Sequence, residues 1–408
     1  MGLIRSRLER PRNIATSAGL DRYLREGVAT WAGVNISPDT ALQIGAVFAC
    51  TRIIAEDIGK LPVILYQRSD RGAKDRATTS PFWRLLHDRP NSWQTSQQFR
   101  ELLTAHAVLR GNAFAFKNLV GGQVRELLPI HPDRVRVEQL DDYEVIYRVR
   151  HGNGREEMHT RREIFHLAGP SLDGYQGVSI VGLSRQSMGF ALALERHGAT
   201  LFGNGAHPGG VLKHPGKLSD AAQKRLQASV DEGFARGSAH KTLILEEGMD
   251  WVRTGLSNED SQFLQSRQFS ILDIARWFRI PPHKLGELGR ATWANIENQQ
   301  LEYVNETLMS WARRWEDAYN QQVIGTNSVY AELLFDALLR GSTKERYEAY
   351  QLAAGGNAPF LTRNEVRRRE NLPPIEGLDE MLQPLNMSGA TPPPDPPGAE
   401  GDDDEQDG

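Results

Sequence analysis

Several short stretches of this chain carry residue types whose spacing could support chemistry. Gly203-Asn204-Gly205-Ala206-His207-Pro208-Gly209-Gly210 is rich enough in glycine to suggest a loop whose backbone amides cradle a phosphate. It follows a predicted helix, however, and Pro208 removes an amide that such a nest would use. No GxxxxGK[ST] phosphate loop occurs, so the chain has no route of that kind to ATP-driven work. Gly182-Leu183-Ser184-Arg185-Gln186 approaches the turn that presents a nucleophilic serine. It lacks the final glycine and the preceding strand, so Ser184 reads as an exposed helical serine. Asp141-Asp142 reads as a strand-linking turn rather than a catalytic carboxylate pair. The eleven histidines are scattered and include no HExxH. His131 precedes Pro132, and His207 and His283 flank prolines, which makes each a turn or surface residue before a metal ligand. Cys50, the single cysteine, excludes an internal disulfide and a cysteine-based zinc cluster. It lies in the apolar run Ala46–Cys50, where a buried structural thiol is expected, and it fits a reducing, intracellular place of synthesis. Arg363, Arg367, Arg368 and Arg369 crowd a short helix opened by Thr362, either as a solvated face or as a contact for DNA or an acidic neighbour. No catalytic residue, metal ligand or cofactor is expected, and the chain does not read as an enzyme.

The elements that would position such groups divide into two styles. Leu42, Ile44, Val47, Phe48, Ile53, Ile54 and Ile58 recur at helical period between Thr40 and Lys60, and Leu61 to Tyr66 then reads as a strand. A second helix is predicted near Gln97–Arg110. Strands follow over Ala113–Leu119 and Val124–Ile130, joined by Gly121-Gly122. Alternation continues through residues 134–168, with Gly152-Asn153-Gly154 as another hairpin turn, so the stretch is an α+β module. The chain then becomes mainly helical. Ser179 caps a helix to about Phe202; a strand at Gly210–Lys213 and a helix from Ser219 to about Phe234 follow. Lys241–Glu246 and Trp251–Thr254 are expected to form a hairpin around Gly248. Ser257 with Asp260 opens a helix to about Phe278, stopped by Pro281-Pro282. Leu301, Val304, Leu308, Trp311, Trp315 and Ala318 form an apolar stripe, extended upstream by Trp293 and Ile296. A helix from Trp293 to Val323 would be roughly 45 Å long, long enough to span a domain or an assembly.

Composition narrows the class. The chain has 408 residues, of which 39% are hydrophobic and 25% charged, and no run of about 20 apolar residues predicts a spanning helix. Residues 388–408 hold seven acids and no Lys or Arg, and together with the proline run before them they read as a disordered tail. The remainder carries 48 basic and 45 acidic side chains, an excess of three, where a tight nucleic-acid binder concentrates a strong basic excess. Arg5, Arg7, Arg10 and Arg12 make the N-terminus basic without the apolar stretch of a signal peptide. A mobile basic arm is expected there, with a mitochondrial-type leader as the alternative.

Four segments, taken in order, resemble the HK97-type portal proteins of tailed bacteriophages. They are Ala41–Cys50 through Leu61-Pro62; Leu109-Arg110-Gly111-Asn112-Ala113-Phe114 with Leu128–Pro132; Phe202–Leu212; and Ile274–Gly286 followed by Asn295-Ile296-Glu297. The resemblance covers about residues 40–380 and implies an α+β subunit with named parts. These are an N-terminal arm (1–39), the first part of a wing (40–177), a first stem helix (178–204), a clip (205–256) and a second stem helix (257–280). A tunnel loop (281–292), a long helix with a wing return strand (293–340), a helical crown (341–387) and the acidic tail (388–408) complete it.

What the resemblance implies for function is a homododecameric ring at one capsid vertex, conducting double-stranded DNA and hydrolysing nothing. Its partners would be the terminase large subunit, the major capsid and scaffold proteins and a head-completion or adaptor protein, with no membrane. The ring would reside in the virion after assembly in the host cytoplasm. Lys284, Arg290 and Thr292 of the tunnel loop would face DNA, and Arg236, Lys241 and Arg253 of the clip would dock the motor. The alternatives are another head–tail connector ring protein, which would usually be shorter, and a DNA-processing enzyme, which would require a clustered metal site.

Overall fold

The structure, a computed structural model, describes residues 28–68, 74–203, 210–213, 216, 223–225, 250–253, 257–288, 293–335, 343–355, 359–370 and 372–382. It begins with a small antiparallel ribbon, β1 (Val28–Ala29) on β2 (Asn35–Ile36). Helix α1 (Gly45–Lys60) follows, then β3 (Val63–Arg68) and β4 (Lys74–Arg76). Helix α2 (Ser96–Arg110) starts where a capping box tells it to: Thr95 accepts from the Gln98 amide, and the Gln98 side chain reaches back to the Thr95 backbone. Strands β5 (Asn112–Val120), β6 (Gln123–Ile130), β7 (Val135–Gln139), β8 (Val145–Arg150), β9 (Glu156–Thr160) and β10 (Ile164–Ala168) come next. Gly121 and Gly122 both take positive φ, 60° and 79°, as the tight turn between β5 and β6 requires.

These strands form two three-stranded antiparallel sheets, β10-β5-β6 and β7-β8-β9. Phe114, Ile130, Val135, Val137, Val145, Tyr147, Val149 and Ile164, drawn from both sheets, make one buried cluster. The helical half contains α3 (Ile180–Leu183), α4 (Arg185–Gly203), a ribbon of β11 (Gly210–Lys213) on β12 (Asp250–Arg253), and α5 (Ser257–Phe278). Ser179 caps α3 by accepting from the Gly182 amide. Strand β12 pairs with residues 210–213, about 40 residues upstream, and the other half of the hairpin expected within 241–254, residues 241–246, lies outside the described residues.

The long amphipathic stretch is continuous but not uniform. It runs as α6 (Trp293–Glu302), a π-helical segment (Tyr303–Leu308), α7 (Met309–Tyr319) and a second π segment (Asn320–Ile324). Wider π turns change the phase of the stripe. Val304, Leu308, Trp311, Trp315 and Ala318 are buried as expected, whereas Leu301, upstream of the first π segment, is 48% exposed and Tyr303 takes the inward place. Trp315 is fully buried against Phe99 and Phe165, its ring 6.2 and 5.9 Å from theirs, and its Nε1 donates to Thr104 Oγ1 at 2.9 Å. The chain then returns as β13 (Val329–Leu333), which pairs with β3 across more than 260 residues.

Two compact units result, one ending at Phe335 and one beginning at Asp336. The second contains α8 (Thr343–Gly355) and α9 (Arg363–Arg369), the latter capped by Thr362 with Glu365 in a reciprocal capping box. Its centre is a polar group: Asn364, fully buried, donates through Nδ2 to Ile375 O and Asp379 Oδ2, both at 2.8 Å, and accepts from the Ile375 amide at 2.9 Å. Residues 1–27 of the N-terminal arm and the whole acidic tail fall outside the described residues, while the rest of the arm carries the β1–β2 ribbon.

Candidate functional site

The loop that would face a channel grows from a strained helix end. Helix α5 stops at Arg279, whose φ of 54° is left-handed although the residue is not glycine, a conformation costing about 1 kcal/mol or more for a residue that carries a Cβ. Neighbouring groups hold it there. The Ile280 amide donates to Ala275 O at 2.9 Å, Thr307 Oγ1 donates to Arg279 O at 2.7 Å, and the Arg279 guanidinium lies 2.9 Å from Glu306. Pro281 then caps a 3₁₀ turn, Pro282–Leu285, which Gly286 ends at φ 84°. Pro282 cannot donate a backbone hydrogen bond, and so the helix cannot be resumed at this point.

Three ties fasten this turn to the body. His283 Nδ1 and Gln299 Oε1 are 2.9 Å apart, joining the turn to α6. Lys284 Nζ lies 3.5 Å from Asp57 Oδ2 on α1 and 4.2 Å from the centre of the Tyr303 ring, a cation–π distance. Asp57 also accepts from Tyr303 Oη at 3.1 Å and from Lys60 Nζ at 3.3 Å. Burial, and after it the Asp57 charge, pushes the Tyr303 phenol well above its ordinary range, so it remains a donor to that carboxylate. Burial likewise pushes the nearby Cys50 thiol up to about 12, which keeps it protonated and inert, the structural role expected of it.

A second construction explains why Arg110, Gly111 and Asn112 stand together. Gly111 ends α2 in the left-handed region, φ 81°, and a side-chain carbon there would lie 2.5 Å from the Val178 backbone. A carbon on Gly177 would meet Gly111 O at 2.0 Å. Asn112, fully buried, bridges the same crossing: Nδ2 donates to Gly177 O and Oδ1 accepts from the Gly177 amide, each at 2.7 Å. Its Oδ1 also faces His166 Nε2 at 2.8 Å, which assigns that ring proton to Nε2 and leaves Nδ1 to accept from Tyr147 Oη at 3.2 Å. Arg110 pairs with Asp39 at 2.6 Å and Asp133 at 2.9 Å. These residues hold the start of the helical half against the end of α2; they are architecture rather than chemistry.

The sequence-predicted site residues fare unequally. Lys284 is described, and its side chain, 19% exposed, is spent on Asp57 and Tyr303. Arg290 and Thr292 lie outside the described residues, as do Arg236 and Lys241. Arg253 ends β12 opposite Gly210. Ser184 is a correction: it is 1% exposed and donates to Ile180 O at 2.7 Å, because the join between α3 and α4 turns it inward. Within the basic cluster, Arg367 Nε donates to Pro373 O at 2.8 Å and Arg368 lies 3.5 Å from Asp379, so part of that charge serves the second unit. Residue-by-residue reading of the histidines missed one gathering: His151, Glu157 and His159 place their donor atoms within 4.8 Å of one another. The available signal was parity across the Gly152-Asn153-Gly154 turn, which puts all three on one face of the hairpin. Among the described residues no helix is long and apolar enough to cross a membrane.

Comparison with known proteins agrees with this architecture. Residues 45–371 match the family model "Phage portal protein". The portal protein of Enterobacteria phage HK97 is 32% identical over 360 residues, covering 86% of this chain and 83% of its own. The probable portal protein of Streptomyces phage phiC31 is 30% identical over 397 residues, covering 91% and 84%. Among solved structures, a chain in the neck of a native GTA particle, computed with C12 symmetry, superposes with a TM-score of 0.58 at 22% identity, covering 86% of this chain and 96% of that one. The matched span contains the two three-stranded sheets, α4 and α5, the strained end of α5 and the long helix described above, and on the family match and these relatives this α+β chain belongs to the phage portal protein family.

Proposed function

We propose that about twelve copies of this chain close into a ring at one capsid vertex and pass double-stranded DNA inward during packaging and outward at ejection. The single observation that carries this reading is the family match across residues 45–371. Charge supports it. A duplex must slide through such a channel, and every phosphate neutralised adds affinity by counterion release, so a body with an excess of only three basic side chains suits passage better than grip. Symmetry multiplies sparse charges: one Arg290 per subunit becomes a belt of about a dozen around the axis. Lys284, tied to Asp57, serves this function by fixing the base of the loop, while Arg290 and Thr292 face the duplex. Arg236, Lys241 and Arg253 dock the terminase large subunit. The ring also meets the major capsid and scaffold proteins and a head-completion adaptor, is assembled in the host cytoplasm and ends in the virion. The chain itself catalyses nothing in this role.

Mass and imaging test the ring together. Twelve chains of 45.7 kDa should weigh about 550 kDa in native mass measurement, and negative-stain images should show an axial hole. Monomer in solution and no annulus in capsid preparations would end the proposal. Within the ring, Arg290→Glu should impair packaging without changing the assembled mass; normal packaging by that variant would remove Arg290 from the channel wall.

A further inference from the structure

Strand parity alone brings His151, Glu157 and His159 to one place. Val149 pairs with Glu157 and Tyr147 with His159, so these four side chains share a face, and His151 continues it two residues beyond Val149. Tyr147 and Val149 on that face belong to the buried cluster, which puts the three polar residues at the rim of an apolar floor. His151 Nε2 is 3.1 Å from Glu157 Oε2, and His159 Nε2 is 3.7 Å from the same oxygen. Donors around a tetrahedral ion with bonds of about 2.0–2.1 Å sit about 3.3 Å apart, so both separations are within a few tenths of an ångström of what one shared ion requires. His159 Nε2 is buried and makes no hydrogen bond. That is a costly position for a ring nitrogen unless something else occupies its lone pair.

The surroundings resemble the support of a ligand set. His159 Nδ1 faces Glu163 Oε2 at 3.6 Å, and the same oxygen accepts from the Thr160 amide at 3.0 Å. A carboxylate behind an imidazole fixes its orientation and raises its basicity as a ligand. Arg155 lies 3.3 Å from Glu157 Oε1, the other carboxylate oxygen, which leaves Oε2 for the shared position. Phe116 meets the His159 ring edge-on at 5.0 Å and walls off one side.

The geometry points to a divalent transition-metal site of the zinc class, held by His151 Nε2, Glu157 Oε2 and His159 Nε2 with a fourth position open to water. Two imidazoles and one carboxylate favour zinc, cobalt or nickel over magnesium, which prefers oxygen donors and six-fold coordination. The ion would staple the two strands beside their turn. It stands independently of the channel reading, because the hairpin needs no second subunit to form it.

The test uses the untagged full chain, stripped with a chelator and dialysed. Titration with zinc chloride should show one site per chain by calorimetry, and cobalt chloride should give the visible absorption of a tetrahedral ion; magnesium chloride should give neither. His151→Ala and Glu157→Gln should each weaken zinc binding by at least about a hundredfold while melting normally in the metal-free state. Glu163→Gln, behind the ligand, should weaken it by about tenfold. His87→Ala, at a histidine that pairs with its neighbour Asp88 and stacks on Trp83 away from this hairpin, should bind as the parent does. Absence of zinc binding to the parent chain, or full binding by both ligand variants, would overturn the site.

Discussion

The two compact units of this chain solve the same problem with different materials. The first, up to Phe335, is built round a dense aromatic core, with Trp315, Tyr147, Tyr303, Phe99, Phe114 and Phe165 all below 2% exposure, although it also leaves side chains such as Trp31 and Leu172 exposed. The second, from Asp336, has a buried asparagine at its centre and leaves Leu352 at 71% and Phe360 at 68% exposed. A unit that buries its own apolar surface is stabilised by burial from solvent, at about 25 cal/mol per Å². One centred on a buried polar side chain gains from directed hydrogen bonds, worth about 1 kcal/mol each when both partners are satisfied. The lesson is that a single chain can hold one part together round an aromatic core and another round a few polar ties.

Breaking the comparison starts where the apolar core is densest. Trp315→Ala should cost about 3–5 kcal/mol by opening a cavity and orphaning Thr104 Oγ1, read as a lower denaturation midpoint with hydrogen-exchange protection lost across residues 96–168. Protection within 343–382 should be unchanged if the units are as different as their interiors suggest. A drop below about 1 kcal/mol would mean that the aromatic cluster is not what stabilises the first unit.

Next in size is a pH effect confined to the first unit, since the second contains no histidine. Burial lowers His106 from 6.5 to about 4, so the unfolded chain binds its proton first as pH falls. Stability from this group is therefore complete above pH 6.5 and declines as pH drops from 6.5 to about 4. The loss is on the order of 3 kcal/mol, at about 1.36 kcal/mol per pKa unit. His106→Gln should flatten that part of the pH–stability curve; an unchanged curve would place the proton elsewhere.

The smallest effect belongs to the second unit. Asn364→Ala deletes the bonds to Ile375 and Asp379 and should cost about 2 kcal/mol locally, seen as faster exchange within residues 359–382 and no shift in the main melting transition. If the main transition moved by as much as it does for Trp315→Ala, the contrast between the units would collapse.

Local signals in the chain foretold most of the elements. The Gly121-Gly122 and Gly152-Asn153-Gly154 turns, the Thr362 cap and the Pro281-Pro282 stop all act over a few residues, and the structure shows each where the sequence implies it. Misses cluster where the decision is made elsewhere. Leu301 reads as core by spacing, yet the π segment after it rotates it outward. The pairing of β11 with β12 is not legible locally, because periodicity cannot choose a partner among several short strands. Ser184 reads as exposed until the α3–α4 join turns it inward.

The site divides in the same way. Lys284 is visible in sequence as a cation in a proline-bounded turn, but its attachment to Asp57 spans more than 220 residues and follows only from how α1 packs beside the long helix. Gly111 and Gly177 can be singled out as glycines; that each is forbidden a side chain by the other's backbone is known only once the two segments cross.

By itself, then, the sequence determined the alternation of elements, their caps and stops, the near-neutral charge of the body and the family to which its motifs point, because each depends on covalently adjacent residues or on simple sums. Tertiary structure alone decided the pairing of β3 with β13, the phase of the long helix, the anchoring of Lys284 and the crossing of Gly111 with Gly177. Those depend on which surfaces are brought within a few ångströms of each other, and loop closure leaves many such meetings open until packing selects one.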